Sequence, residues 1–300
     1  MRKARRPAAT ALALALALQL GAAVPAVAAD ITATAGYENG NSPLNLTQIA
    51  RYSSGQYNVD GGVMEIVAYN RSNGFAYAIN GQSGLLAAIP LNNLAAGDSV
   101  ARLSGTDIDV KALVEAADSS FRYGDMTSVA VSPDSATLAA ALQAEGYNDA
   151  GRVALFTCNS DGTLTLKGLV ETGVQPDMVT FADNDTVLTA DEGEPREGYG
   201  DGVADPRGSV TVVDVSALTS EVVGFDAFDG RRDELAASGV VLKKGVNPST
   251  DLEPEYIAVS GGKAYITLQE NNAIAVLDLA SRTFDGIYSA GFEDYGVTPV

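Results

Sequence analysis

The sequence contains no histidine and one cysteine, and these two scarcities remove most of the familiar hydrolytic and metal chemistry. Without histidine there is no Ser-His-Asp or Cys-His nucleophile, no HExxH zinc protease and no histidine-ligated zinc. Any bound metal must be held by oxygen. Cys158 has no partner for an internal disulfide, and its place in the run Val153 to Cys158 reads as a strand residue without chemistry. Basic residues are also few, 19 Lys and Arg against 38 Asp and Glu. That balance argues against a nucleic-acid partner, because phosphate is repelled, and makes polyvalent cations the natural counterparts. For most of these acids the plainer role is a soluble surface.

What is present begins with a basic start, Arg2, Lys3, Arg5 and Arg6, followed by an alanine- and leucine-rich run from Ala8 to Ala23 and small residues at Ala26-Val27-Ala28. This pattern predicts a signal peptide over residues 1–29, cut after Ala28 or Ala29, and hence a secreted or cell-surface (extracellular or periplasmic) protein. The Arg5-Arg6 pair leaves both the Sec and twin-arginine routes open. No later apolar run is long enough to span a bilayer. Removing the four basic residues leaves 15 Lys and Arg against 38 acids, a net charge of −23.

After a polar lead-in over residues 30–45 the chain becomes a series of short apolar runs with turn signals such as Asn73-Gly74, Asp161-Gly162 and Gly261-Gly262. Helical periodicity is confined to Asp109–Ala117, with Val110, Leu113 and Val114 on one face, and to Arg232–Ser238. Four segments repeat one plan of strand, polar turn, strand and later strand. They start at Glu65, Ser128, Met178 and Tyr256, and the second adds a further run at Thr163–Leu166. With Val67, Val129, Val179 and Ile257 as equivalent points, the spacings are 62, 50 and 78 residues. Propeller blades need about 40–50 residues, so these are blades with insertions, and a sandwich predicts no such repetition. The expected fold is all-β, a β-propeller-like array over residues 46–300.

The alignment sorts the acids. Two residues before the equivalent points stand Glu65, Thr127, Asp177 and Glu255; thirteen after them stand Asn80, Leu142, Glu192 and Glu270. Antiparallel pairing puts both registers at one end of the blade near the channel, with Glu194 and Glu253 flanking. Uncompensated like charges raise each other's pKa, and a divalent cation removes the conflict. Calcium is the expected ion, held by Glu65, Asp177, Glu192, Glu194, Glu253, Glu255 and Glu270, with the amides of Asn80 or Asn271 as further donors. A solvated acidic rim is the competing reading.

Other motifs read as turns. Asp134-Ser135-Ala136 looks like a phosphatase nucleophile tripeptide but falls in a hairpin turn, and Asp183-Asn184-Asp185 lacks the Gly and Glu of an EF-hand loop. Arg196, Arg207, Arg231 and Arg232 lie in insertions, and one of them near the acids would suit phosphate.

Several motifs in order, Pro176-Asp177-Met178-Val179, Glu192-Gly193-Glu194-Pro195, Asp205-Pro206-Arg207-Gly208-Ser209, Leu252-Glu253-Pro254-Glu255-Tyr256 and Leu268-Gln269-Glu270-Asn271-Asn272, resemble the choice-of-anchor I family over about residues 46–300. The resemblance implies an exported, propeller-like domain joined to varied anchors or phosphoesterase domains, and members often carry the label alkaline phosphatase. Two functions follow as expectations: a calcium-binding surface module, or a metal-dependent phosphomonoesterase in which Glu65, Asp177, Glu192, Glu255 and Glu270 hold the metal. The sequence departs from the pattern at Asp191-Glu192-Gly193, where Asn is expected before the Glu. The family domain also continues past the equivalent of Val300, so a truncated propeller is expected.

Overall fold

The computed structural model describes residues 47–59, 62–95, 97, 99–198 and 202–292. Contacts divide the chain into Met1–Gln48 and Ile49–Val300, and the second unit holds all the strands below. The expected signal peptide, the lead-in and the Thr298-Pro299-Val300 end lie outside the described residues.

Strand β1 (Ala50–Tyr52) precedes the first four-stranded antiparallel sheet, formed by β2 (Met64–Asn70), β3 (Phe75–Asn80), β4 (Leu85–Pro90) and β6 (Thr106–Ile108). Between the last two, β5 (Ala101–Leu103) pairs in parallel with β1 as a separate ribbon. Helix α1 (Val110–Ala117) leads to the second sheet, β7 (Tyr123–Val131), β8 (Thr137–Ala144), β9 (Ala150–Cys158) and β10 (Leu164–Val174). The third sheet is β11 (Pro176–Phe181), β12 (Thr186–Asp191), β13 (Ser209–Asp214) and β14 (Thr219–Gly224). A 3₁₀ turn and two short helices, α2 (Arg232–Ala237) and α3 (Pro248–Asp251), precede the fourth sheet. That sheet is β15 (Ile257–Ser260), β16 (Lys263–Leu268), β17 (Ala273–Asp278) and β18 (Thr283–Ser289). Each sheet is a meander in which the first strand is an edge, the plan of a propeller blade.

The repetition read from the sequence is therefore present, with one more strand per unit than it showed in the first, third and fourth units. The outer strand β14 is mostly exposed and polar, Thr-Ser-Glu before Val-Val-Gly, so it lacks the apolar run that marks a buried strand. β8 is buried along both faces, which is why it reads as a continuous apolar stretch instead of an alternating one. In β16 the alternation is clean, with Ala264, Ile266 and Leu268 buried and Tyr265 and Thr267 exposed. The two-residue turn between β15 and β16 needs glycine at both positions, since Gly261 and Gly262 have φ of 60° and 77°. Helix α1 forms where expected, capped by Asp109, whose Oδ1 accepts from Ala112 N at 2.8 Å. Val110 and Val114 are buried, whereas Leu113, on the same face, is 37% exposed.

The core consists of seams between successive sheets. Tyr77, Leu86 and α1 pack on Met126, Leu138 and Phe156 between the first and second sheets. Ala141 and Leu155 meet Val179 and Val213 between the second and third. Leu188 and Val212 meet Ile257, Ile266 and Leu277 between the third and fourth, where Phe225 stacks on Phe284 at 4.5 Å. Each fully buried aliphatic side chain in these seams contributes about 1.5–3 kcal/mol. A fourth cluster seats Tyr52 and Leu103 of the ribbon on Ala87 and Ile89. Among the described residues no cluster joins the first sheet to the fourth.

Candidate functional site

A β-bulge recurs at the same point of each innermost strand. In the third sheet Pro176 pairs with Asp191 and Met178 with Ala190, which leaves Asp177 as the extra residue. Thr127 occupies the same place between Met126 and Ser128, and Glu65 with Ile66 lies between Met64 and Val67. In the fourth sheet Glu255 N donates to Thr267 O at 3.0 Å while Thr267 N donates to Tyr256 O at 2.8 Å, so two residues again face one. A bulge re-aims a side chain and twists the strand end, and here it turns one residue per blade out of the ladder. Thr127 uses that freedom to donate to Pro176 O of the next blade at 2.6 Å. Asp177 and Glu255 present carboxylates instead.

The cross-strand register corrects the second row of the sequence alignment. The partners of Val67, Val129, Val179 and Ile257 are Ala78, Ala140, Thr189 and Ile266, offsets of eleven, eleven, ten and nine residues, because the hairpin turns differ in length. A fixed offset of thirteen therefore slips. The second-sheet counterpart of Glu192 is Gln143, which follows the Met126–Leu142 pair as Glu192 follows Pro176–Asp191. Leu142 is buried in the core. The first-sheet counterpart is Gly81, beside which Glu65 lies.

Six of the seven predicted carboxylates interact. Burial pushes Glu192 up to about 7, helped by the charges of Asp177, Glu194 and Glu253 and opposed by Arg196. Asp177 is also raised, first by burial and then by Glu194, against Arg196. Glu255 is pushed up to about 8 by burial, by a side-chain hydrogen bond with Glu270, and by the charges of Glu270, Glu192 and Asp177. Glu253 is fully buried and raised by that burial, while Lys243 Nζ at 3.0 Å holds it down. Glu65 is exposed and is not among the charges that bear on the others. The expected amides are occupied as well. Asn80 donates to Gln56 Oε1 at 2.7 Å, and Asn271 donates to Val241 O and Asp251 O at 3.0 Å each while its Oδ1 accepts from Glu253 N.

The cluster is organised by Arg196, one of the four arginines the sequence offered, and by Gln143, Gln175 and Asp191, which sequence reasoning did not single out. Arg196 Nε donates to Gln175 Oε1 and its Nη2 to Gln143 Oε1, both at 3.1 Å, and it faces Glu194 at 3.6 Å. Gln175, buried and at φ 55°, donates to Tyr147 O and Glu194 O at 2.8 Å, tying the loop of the third sheet to the second. Asp191, one residue before Glu192, is fully buried and accepts from Thr189, Ser209 and Thr211 hydroxyls and from Gly173 N. Burial raises it to about 6 against those four donors. Its signal in the sequence was the alternation Thr189, Asp191, Ser209, Thr211 on paired strands. Of the other arginines, Arg207 pairs with Asp226, Arg231 with Glu234, and Arg232 with the carbonyls of Lys243 and Val246. Asp134-Ser135-Ala136 and Asp183-Asn184-Asp185 are hairpin turns, and Asn184 Oδ1 accepts from Asp134 N at 3.0 Å.

Oxygen-only donors that repel one another suit a hard divalent cation. Among the described residues, however, no three Asp, Glu, Cys or His side chains stand close enough together to hold a metal ion. As they stand, the carboxylates are eased by the raised proton affinity of Glu192 and Glu255 and by Arg196 and Lys243. Ligation requires side-chain rotation toward the ion.

Repeated four-stranded blades with a mouth of interacting carboxylates define a propeller-like all-β protein. The choice-of-anchor I domain matches residues 65–299, and the chain belongs to that family. No curated protein matches the sequence. Solved structures similar to the chain include a protein of unknown function from Bacteroides caccae, at 10% identity and TM-score 0.40 over 76% of this chain and 61% of that one. Others are the Cps50 (Swd1) β-propeller domain of Myceliophteria thermophila, at 11% and 0.45 over 77% and 56%, and apo AztD of Citrobacter koseri, at 14% and 0.41 over 75% and 46%. The chain thus spans less than two thirds of these three solved chains. Among the described residues no helix is long and apolar enough to cross a membrane.

Proposed function

We propose that the chain is a secreted or cell-surface binding module whose acidic mouth takes calcium. The observation that carries this reading is the mutual influence of Asp177, Glu192, Glu253 and Glu255, all with raised proton affinity, together with Glu194 and Glu270, whose charges add to it. Carboxylates raised first by burial and then by one another's charge gain more from a divalent cation than an ordinary acidic surface does. Export and surface display rest on the family and on the basic and apolar start of the sequence. Calorimetric titration of calcium into the full chain, with Glu192→Gln and Glu255→Gln as comparisons, tests the reading. Saturable binding weakened at least tenfold in either variant supports it; no heat, or equal binding in all three proteins, overturns it.

The second reading is a metal-dependent phosphomonoesterase, favoured by the one arginine, Arg196, that lies among the carboxylates. In it Arg196 would bind a phosphate oxygen, and the metal, when bound, would supply charge to polarise the ester and an activated water. Turnover of p-nitrophenyl phosphate that needs calcium and is lost in Arg196→Met supports this reading; binding of calcium without turnover sinks it and leaves the first.

A further inference from the structure

Arg196 lies among the carboxylates, and its charge bears on Asp177 and Glu192, but its hydrogen bonds go to neutral groups. Nε donates to Gln175 Oε1 and Nη2 to Gln143 Oε1, both at 3.1 Å, while Glu194 Oε2 stands 3.6 Å from Nε, an ion pair without a hydrogen bond. Arg231 shows the other arrangement, donating to both oxygens of Glu234 at 3.0 and 2.6 Å. A guanidinium whose role is to neutralise acids takes that forked form, since charge-assisted pairs are the strongest it can make. Arg196 is instead fixed by two glutamines. Its side chain is 43% exposed, and among the described residues Nη1 has no hydrogen-bond partner.

The Gln143 amide carries a second unused donor. Arginine has no acceptor, so Gln143 must turn its oxygen to Arg196, and both hydrogens of Nε2 are left for another partner. None exists among the described residues, although Gln143 is 7% exposed and Nε2 is shut off from solvent. Gln175 differs, because its Nε2 donates to Tyr147 O and Glu194 O. Buried amide donors without acceptors are rare in folded proteins and lower their stability, so each calls for a ligand or a role. Since Oε1 and Nε2 share one carbon, this donor lies beside the Arg196 head group. An acceptor entering from solvent meets Nη1 first and Nε2 at greater depth.

We propose that Arg196 and Gln143 form an oxyanion-binding point in the acidic mouth, and that the module's ligand is a carboxylate held jointly by this point and by calcium. On the calcium reading above, which this ligand presupposes, the cation offsets the acids that otherwise repel it. Guanidinium and amide hydrogens donate and cannot accept, which selects an anion over an amine. A carboxylate offers two coplanar oxygens, one for the donors and one for the cation. It also brings a single negative charge toward Asp177, Glu192 and Glu194, where a phosphate monoester brings about 1.5 to 2. Binding of the carboxylate therefore depends on calcium and raises calcium affinity in return.

Calorimetric titration of calcium into the full chain comes first. Glucuronate, acetate and methyl phosphate are then titrated into calcium-loaded and calcium-free protein, with methyl glucoside as the uncharged control. The expected result is carboxylate binding that needs calcium and exceeds that of methyl glucoside and methyl phosphate. It should fall about tenfold or more in Gln143→Glu, whose new carboxylate pairs with Arg196 and removes the free amide. Arg196→Met should give the same loss and serves if Gln143→Glu does not fold. Calcium bound without any effect of carboxylate overturns the inference and leaves the calcium reading standing, whereas an absence of calcium binding overturns both. Tighter binding of methyl phosphate, or a carboxylate affinity unchanged in both variants, also overturns it.

Discussion

Glu255 lies beside Glu270 beyond the hairpin of β15 and β16, and after burial it is this neighbouring carboxylate that most raises the proton affinity of Glu255. The ionisation of the mouth and the stability of the fold are therefore linked.

Glu255 is raised from 4.5 to about 8 and Glu192 from 4.5 to about 7, so the folded chain holds protons that the unfolded chain releases. Stability is full below about pH 4.5 on this account and falls as pH rises through the folded values. Thermal melting in calcium-free buffer should show a declining midpoint across that window, with a flatter decline in Glu255→Gln. An unchanged slope in the variant would contradict the assignment.

Calcium should reverse that loss. A cation binds the ionised carboxylates, so its affinity and its effect on the melting midpoint should both grow from pH 5 to pH 8. Glu192→Gln should abolish most of the shift, whereas Glu65→Gln, altering a carboxylate outside the interacting set, should leave it intact. Equal effects of the two substitutions would show that the cation is bound by the acidic surface at large.

Asp191 binds β10, β12 and β13 together through four donors. Asp191→Ala leaves three hydroxyls without their acceptor, while Gly173 N keeps Thr211 Oγ1 at 3.0 Å, and should cost about 3 kcal/mol or more in urea denaturation. Asp191→Asn, which keeps one acceptor oxygen, should cost less.

Gly208 passes so close to the chain before Glu253 that a Cβ there would stand 2.0 Å from Leu252 O and 2.6 Å from Pro254 Cδ. Gly208→Ala should force the Asp205–Ser209 loop away from the Leu252–Glu255 segment, lowering stability by about 1–3 kcal/mol. It should also weaken calcium binding, because that segment carries Glu253 and Glu255. A loss of stability with calcium affinity unchanged would show that the loop does not position the carboxylates.

The repetition of strand, turn and strand was legible in the chain because buried strands advertise themselves by apolar runs, and Val67, Val129, Val179 and Ile257 do mark one structural position. The outer strands β14 and β18 were not, since a strand exposed along one side needs few apolar residues. Asp177 and Glu255 were legible because each stands two residues before an equivalent point of the repeat, whereas Glu192 and Glu270 were reached through an offset that the register does not keep, and Glu194 and Glu253 only as their neighbours. Gln143 was hidden behind Leu142, because hairpin turns of unequal length change the offset between partners and the bulges absorb a further residue. Arg196 was visible only as one of several arginines; what singles it out is that Gln143 and Gln175 hold it over the carboxylates.

By itself the sequence determined the class of fold and the chemistry allowed to it: absent histidine confined any metal to oxygen ligands, and the periodic apolar runs required stacked antiparallel blades. The tertiary structure decided which acids meet, because that depends on bulges and seams that bring residues from different blades together. It likewise decided that Leu113, apolar and on the same helix face as buried Val110 and Val114, is exposed, since burial belongs to the neighbour a residue has and not to the residue alone.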